Sequence, residues 1–177
     1  MPGWPHDHEL LAAASGGAPE RVAPYRFGPA ASPHLAAELS GQRIDPPTLL
    51  AAARLAGEAG ALIVEGVGGL LVPLAADYAV ADFAAGLGLP LVVVARPGLG
   101  TINHTLLTLE AARTRALRVA AVVMTPWPAE PSAVERSNRE TIERLGRCPV
   151  AGLAHFERGD PALLAAAAAQ LPFDSWV

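Results

Sequence analysis

The stretch Leu91-Val92-Val93-Val94-Ala95, followed by Arg96-Pro97-Gly98-Leu99-Gly100 and a helical stretch from Thr101 to Leu117, decides the fold class. A short, continuous apolar run rich in β-branched residues reads as a strand buried on both faces of a sheet. A glycine-bearing turn that leads straight into a helix reads as the first half of a βαβ unit. Working outward, similar runs stand at Ala61–Val64 and Val119–Met124, and more weakly at Pro149–Leu153. Their starts fall about 30 residues apart, the size of one such unit. Helical stretches fill the gaps: Asp7–Ala14, Leu35–Ser40, Asp45 to about Ala59, Ser132–Leu145 and Pro161–Leu171. Asp45 before Pro46 is an N-cap with proline in the first turn, and Ser32-Pro33-His34 repeats the device. The alternation predicts a doubly wound α/β fold with a mainly parallel sheet, as one domain over residues 1–177.

Composition narrows the function. The 177 residues are 51% hydrophobic and 17% charged, with 37 alanines and 5% aromatics, so the core rests on Ala, Leu and Val. A net charge of −4 excludes the basic footprint of a nucleic-acid binder. One cysteine, Cys148, excludes an intramolecular disulfide and a multi-cysteine metal site. All 13 basic residues are arginine, so any mechanism that draws a lysine from this stretch is excluded. The mean hydropathy of +0.31 raises a membrane reading. Charge-free stretches such as residues 83–95 are nevertheless shorter than the ~20 apolar residues a spanning helix needs. The N-terminal residues lack the basic and apolar regions of a signal peptide. The expectation is a soluble, cytoplasmic protein.

Two local patterns carry chemistry. Val64-Glu65-Gly66-Val67-Gly68-Gly69 puts a carboxylate at the carboxyl end of an expected strand, before a loop with three glycines. That edge of an open α/β sheet is where ligands bind, and glycines let phosphate approach the backbone. Such a carboxylate can hold Mg²⁺. By spacing alone the same residues read first as a tight turn with an incidental acid. Gly98-Leu-Gly-Thr-Ile-Asn-His104 opens a helix whose first-turn amides attract anions, including a carboxylate. Its plainer reading is a strand-to-helix loop capped by Thr101. Ser32-Pro33-His34 is explained by a helix start, Asp7 by a solvated first-turn acid, and Cys148 by a buried inert thiol.

Taken in order, Asp7-His-Glu-Leu-Leu11, Pro24-Tyr25, Ser32-Pro-His-Leu-Ala36, Val64-Glu-Gly-Val-Gly-Gly69 and Leu99-Gly-Thr-Ile-Asn-His104 resemble the dethiobiotin synthase family across essentially the whole chain. The resemblance implies a three-layer, P-loop NTPase-like fold. It implies an ATP- and Mg²⁺-dependent ligase of biotin biosynthesis. CO₂ or bicarbonate would join 7,8-diaminononanoate as a carbamate, ATP (or another nucleoside triphosphate) would phosphorylate it, and ring closure would give dethiobiotin, ADP and phosphate. By the same resemblance Asp7 touches nucleotide and metal, Glu65 binds Mg²⁺, and Gly66, Val67 and Gly68 form the phosphate-side loop. Thr125, Pro126, His155, Phe156 and Glu157 lie at the end that reads the base. Ser32, Pro33 and His34 line the diamine site. Thr101, Ile102 and Asn103 hold the substrate carboxylate across a homodimer interface.

The departures are equally specific. The family opens with a strand, a lysine-bearing P-loop, a helix and a second strand ending in the segment that carries its catalytic lysine. No counterpart is found ahead of Asp7. The expectation is therefore an N-terminally incomplete chain that holds no catalytic residue and is inactive as written. Thr125-Pro126 stands where the family often has asparagine, and Ala154-His155-Phe156 where it often has Ile-Pro. Two other readings are a non-catalytic relative serving as a carboxylate-binding or regulatory subunit, and an amidoligase-like or ParA-like relative. The latter is not expected to share the segments at Ser32 and Thr101.

Overall fold

The structure, a computed structural model, describes residues 6–58, 60–154 and 161–176. The chain divides after Gly88 into two compact units, Met1–Gly88 and Leu89–Val177.

The first unit contains α1 (Asp7–Ser15), α2 (Pro19–Val22), α3 (Pro33–Leu39), α4 (Pro46–Gly57), β1 (Pro73–Ala75), β2 (Tyr78–Ala79) and α5 (Val80–Leu87). Local chemistry sets the helix starts. The His6 N–H donates to Glu9 Oε2 at 2.8 Å ahead of α1. Ahead of α4, Asp45 Oδ2 accepts from the Thr48 N–H at 3.0 Å and from the Thr48 hydroxyl at 2.5 Å. The antiparallel β1–β2 pair and α5 were not visible as periodic patterns in the sequence, because each is short. Leu74 of β1, Ala36 and Ala37 of α3, and Phe83 and Ala84 of α5 are buried. Gly86 lets α4 approach α5, since a Cβ there would stand 2.9 Å from Leu50 Cδ2. Arg54 of α4 donates to the Gly86 carbonyl at 3.0 Å.

The strand expected at Ala61–Val64 does not form. Those residues run as irregular chain with no ladder among the described residues, and Ile63 is 86% exposed. An apolar run supplies the side chains of a buried strand, but a strand exists only where a neighbour accepts its backbone hydrogen bonds.

The second unit matches expectation more closely. It contains β3 (Leu91–Ala95), α6 (Thr101–Thr114), β4 (Val119–Met124), α7 (Ala133–Gly146), β5 (Val150–Gly152), α8 (Pro161–Ala168) and a 3₁₀ turn at Phe173–Ser175. The sheet is parallel, in the order β3-β4-β5, with Val93 opposite Val122 and Val123 opposite Ala151. On one face Leu109 of α6 and Ile142 of α7 pack with Val122, Met124 and Val150, flanked by Val93 and Ala95. Each fully buried side chain of this size contributes about 1.5–3 kcal/mol. On the opposite face Trp176 covers Ala121 and Val123, with Leu153 and Leu171 beside it. Arg118 anchors that segment by donating to the Trp176 carbonyl at 3.1 Å, and Phe173 meets the indole edge-on at 5.1 Å. This is the α/β architecture the alternation predicts.

Burial on both faces holds for β4 but not for β3. Val92 and Val94 stay open, Val94 being 67% exposed, because β3 stands at the sheet's edge and no described element of its own unit packs on that face. Two helix ends also differ. The helix begun at Thr101 stops at Thr114, just ahead of Ala116 at φ +54°, and the last helix stops at Ala168. Among the described residues no helix is long and apolar enough to cross a membrane.

Candidate functional site

In the first unit, Asp7 is the first residue of α1, and Glu65 follows the irregular run 61–64. Both carboxylates are exposed and, among the described residues, have no hydrogen-bond or ion-pair partner. A free carboxylate suits a hard cation such as Mg²⁺, which takes one or two protein oxygens and completes its shell with phosphate and water. The described residues hold no cluster of three or more His, Cys, Asp or Glu, so any such ion would depend on outside ligands.

The loop after Glu65 is tightly wound. Gly68 sits at φ +76°, and a Cβ on it would lie 3.0 Å from Val72 Cγ2, so the position requires glycine. The Val72 N–H closes a turn onto the Gly69 carbonyl at 3.0 Å, and the Ala81 N–H bonds the Leu70 carbonyl at 2.8 Å. Gly66 and Val67 remain exposed ahead of that turn.

Ser32 and His34 flank the buried Pro33 that opens α3. Ser32 does not cap the helix. Its hydroxyl instead pairs with His34 Nδ1 at 3.1 Å, holding two polar side chains of the predicted diamine segment together.

In the second unit the turn into α6 corrects one detail of the sequence reading. The cap is Gly100, in the left-handed region at φ +88°, and among the described residues no side chain caps this helix. Thr101 is buried, its hydroxyl paired with that of Thr105 at 3.3 Å, and its N–H is spent on the Gly98 carbonyl at 3.3 Å. A threonine whose hydroxyl turns into the core cannot reach back to cap its own helix. Ile102 and Asn103 are left with the open first-turn amides, the donors an anion would need.

A cleft of about 540 Å³ opens at the carboxyl ends of β3 and β4. Arg96, Pro97, Gly98 and Leu99 form one wall; Pro126, Trp127, Pro128 and Glu135 form the other. Of the residues predicted at the base-reading end, Pro126 lines this cleft, and the Thr125 N–H extends the ladder to the Ala95 carbonyl at 2.9 Å. His155, Phe156 and Glu157 lie outside the described residues. The two charged residues of the cleft differ. Glu135 is committed: it accepts from the Ser132 N–H at 2.7 Å, and hydrogen bonds to the Ser132 backbone and hydroxyl hold its carboxyl below the usual range. Arg96 has no partner among the described residues and is the cation available to a ligand. Cys148 is half-buried, and burial pushes its thiol up, with a smaller opposing pull from Arg113. That agrees with an inert thiol.

The sequence reading missed Arg96, Trp127 and Asn138. Trp127 is seated by its N–H on the Leu153 carbonyl at 2.7 Å and by Arg139, whose guanidinium lies 5.6 Å from the ring centre. Asn138 donates to the carbonyls of Pro97 at 2.8 Å and Gly98 at 3.2 Å. A usable signal existed for Asn138: it stands four residues before Ile142, on the apolar stripe of an otherwise charged helix.

Residues 6–157 match the family described as an AAA domain. The ATP-dependent dethiobiotin synthetase BioD of Anaeromyxobacter dehalogenans (strain 2CP-1) is 46% identical over 148 residues, covering 82% of this chain and 66% of its own. That of Anaeromyxobacter sp. (strain Fw109-5) is 42% identical over 158 residues, 87% of this chain and 71% of its own. That of Bacillus subtilis (strain 168) is 37% identical over 135 residues, 76% of this chain and 58% of its own. The chain thus spans about two thirds of the length of the curated relatives it matches. Identities of 37–46% over 76–87% of the chain are more than a shared sheet topology. The chain belongs to the ATP-dependent dethiobiotin synthetase family, with the P-loop NTPase type of α/β fold.

Proposed function

We propose that this chain supplies the carboxylate-binding and metal-side parts of an ATP-dependent dethiobiotin synthetase, a cytoplasmic homodimer that closes a cyclic urea on 7,8-diaminononanoate. The observation that carries this reading is the α6 turn: two open backbone amides, Ile102 and Asn103, at a helix start beyond the carboxyl end of β3. Two adjacent open N–H donors at the positive end of a helix are matched to a carboxylate, and they would fix one end of a long, flexible substrate. Fixing that end holds the two amines at a set distance, where orientation rather than covalent help from the protein favours ring closure.

Ser32 and His34 provide a hydroxyl and an imidazole for hydrogen bonding to an amine or a carbamate. Asp7 and Glu65 would hold Mg²⁺, and Gly66, Val67 and Gly68 would offer backbone to phosphate. When bound, the ion neutralises charge on the phosphate oxygens. Pro126 and Trp127 give apolar walls suited to a base, with Arg96 beside them as a free cation. The stretch holds no lysine, so these residues bind and orient but do not supply the lysine clamp on the transferred phosphoryl group.

Calorimetric titration tests the reading. 7,8-Diaminononanoate is expected to bind saturably, and 2,3-diaminooctane, the same diamine without the carboxylate, to bind at least about 10-fold more weakly, as loss of a charge-assisted pair commonly costs. Equal binding of the two would overturn it.

A further inference from the structure

Asn138 lies in the middle of α7, yet it is only 7% exposed. Its amide nitrogen spans two successive carbonyls, Pro97 at 2.8 Å and Gly98 at 3.2 Å. Both belong to the turn that carries the open amides of Ile102 and Asn103. That turn has glycine at 98 and at 100, the latter at φ +88°, so its own backbone is costly to order. Among the described residues no side chain caps α6, and the Thr101 hydroxyl is spent on Thr105. The Asn138 bonds to Pro97 and Gly98 are the side-chain bonds that hold the turn among the described residues, and they come from a different helix.

The geometry points to Asn138 as a positioning residue for substrate recognition: it sets the Pro97–Gly100 turn so that the Ile102 and Asn103 amides converge on the substrate carboxylate. The inference rests on the proposed reading of that turn as the carboxylate site. Asn138 touches no substrate. It acts through two carbonyls, and only an N–H donor at the end of this side chain can serve both. An aspartate of nearly the same shape would set a carboxylate oxygen against the same carbonyls, which repels rather than binds.

The test compares binding of 7,8-diaminononanoate and 2,3-diaminooctane to the wild-type protein, Asn138→Asp and Asn138→Ser. Each variant is first checked for folding by near-UV circular dichroism. The variants should bind the carboxylate-bearing diamine about 10-fold or more weakly, the range expected when a binding group shifts by a fraction of an ångström, and 2,3-diaminooctane within about twofold of wild type. The wild-type preference for the carboxylate would then disappear. If both diamines weaken equally, or the preference persists, Asn138 is merely structural and the inference fails. Indifference of the wild-type protein itself would overturn the reading of the turn, a separate result. A wild-type measurement covers variants that do not fold. Adding the diaminononanoate should shift the Asn138 side-chain amide resonances together with the Ile102 and Asn103 backbone amides. Movement of the backbone amides past an unmoved Asn138 would overturn the inference.

Discussion

Gly152 is packed so closely against Trp127 that a Cβ on it would stand 2.5 Å from the indole Cγ and 2.7 Å from Cδ1. The ring cannot retreat freely, because its backbone N–H is bonded to Leu153 and Arg139 lies against the indole. Gly152→Ala is therefore expected to cost about 1–3 kcal/mol, the usual range for overpacking. It should also displace Trp127 from the cleft wall. Urea denaturation of wild type and variant measures the first effect; an unchanged midpoint would show that the contact is slack.

The start of α7 predicts an acid-sensitive contribution. The Glu135 carboxyl is held low by the Ser132 backbone N–H first and the Ser132 hydroxyl second; Asp45 at α4 is held low by the Thr48 hydroxyl and then the Thr48 N–H. A group whose folded pKa is depressed stabilises the fold above its unfolded value, and that stability is lost as pH falls through the folded value. Below their ordinary values of 4.5 and 3.8, melting temperature should drop. Glu135→Gln and Asp45→Asn should each flatten that acid limb. At neutral pH, Ser132→Ala should lower stability by about 1 kcal/mol through loss of the cap.

At the alkaline end the sign reverses. Burial raises Cys148 above 9.0, and burial with the nearby Asp82 charge raises Tyr78 above 10.0. Such groups stabilise the fold fully below their unfolded values, and the contribution is lost as pH rises through the folded ones. Melting temperature should decline above about pH 9, less steeply in Cys148→Ala. Among the described residues the buried Tyr78 hydroxyl has no hydrogen-bond partner. Tyr78→Phe should therefore raise the melting temperature at neutral pH, since it removes an unsatisfied polar group; a fall would show that the hydroxyl is solvated.

Glu65 has no protein partner in the described structure. Glu65→Ala should leave the melting temperature of the free protein unchanged while weakening Mg²⁺-dependent nucleotide binding about 10-fold or more, as for loss of one direct metal ligand. Equal affinity in wild type and variant would remove Glu65 from the metal site.

The 177 residues, having no lysine, are expected to form no measurable dethiobiotin from ATP, Mg²⁺, bicarbonate and the diamine. Removal of a single electrostatic stabiliser commonly costs about 10²–10³ in rate. Robust ADP release coupled to ring closure would show that lysines are dispensable to this chemistry.

The sequence by itself determined whatever depends on neighbours a few residues away. The runs at 91–95 and 119–124 are strands and Asp45 caps α4, because a run of β-branched and apolar side chains or a capping bond is complete within one strand or one turn. The family, too, was legible in short motifs, since each motif is contiguous. Only the tertiary structure decided what depends on partners far along the chain. The apolar run 61–64 lacks a ladder, and Val94 lies open, although both segments carry the strand signature. Thr101 is a core residue rather than a cap because Thr105 draws its hydroxyl inward. Asn138 is tied to Pro97 across 41 positions and Gly152 fits under Trp127, close contacts that no local pattern encodes. Pairing and packing are joint properties of two distant segments, and each segment read alone carries only its half of the complementarity.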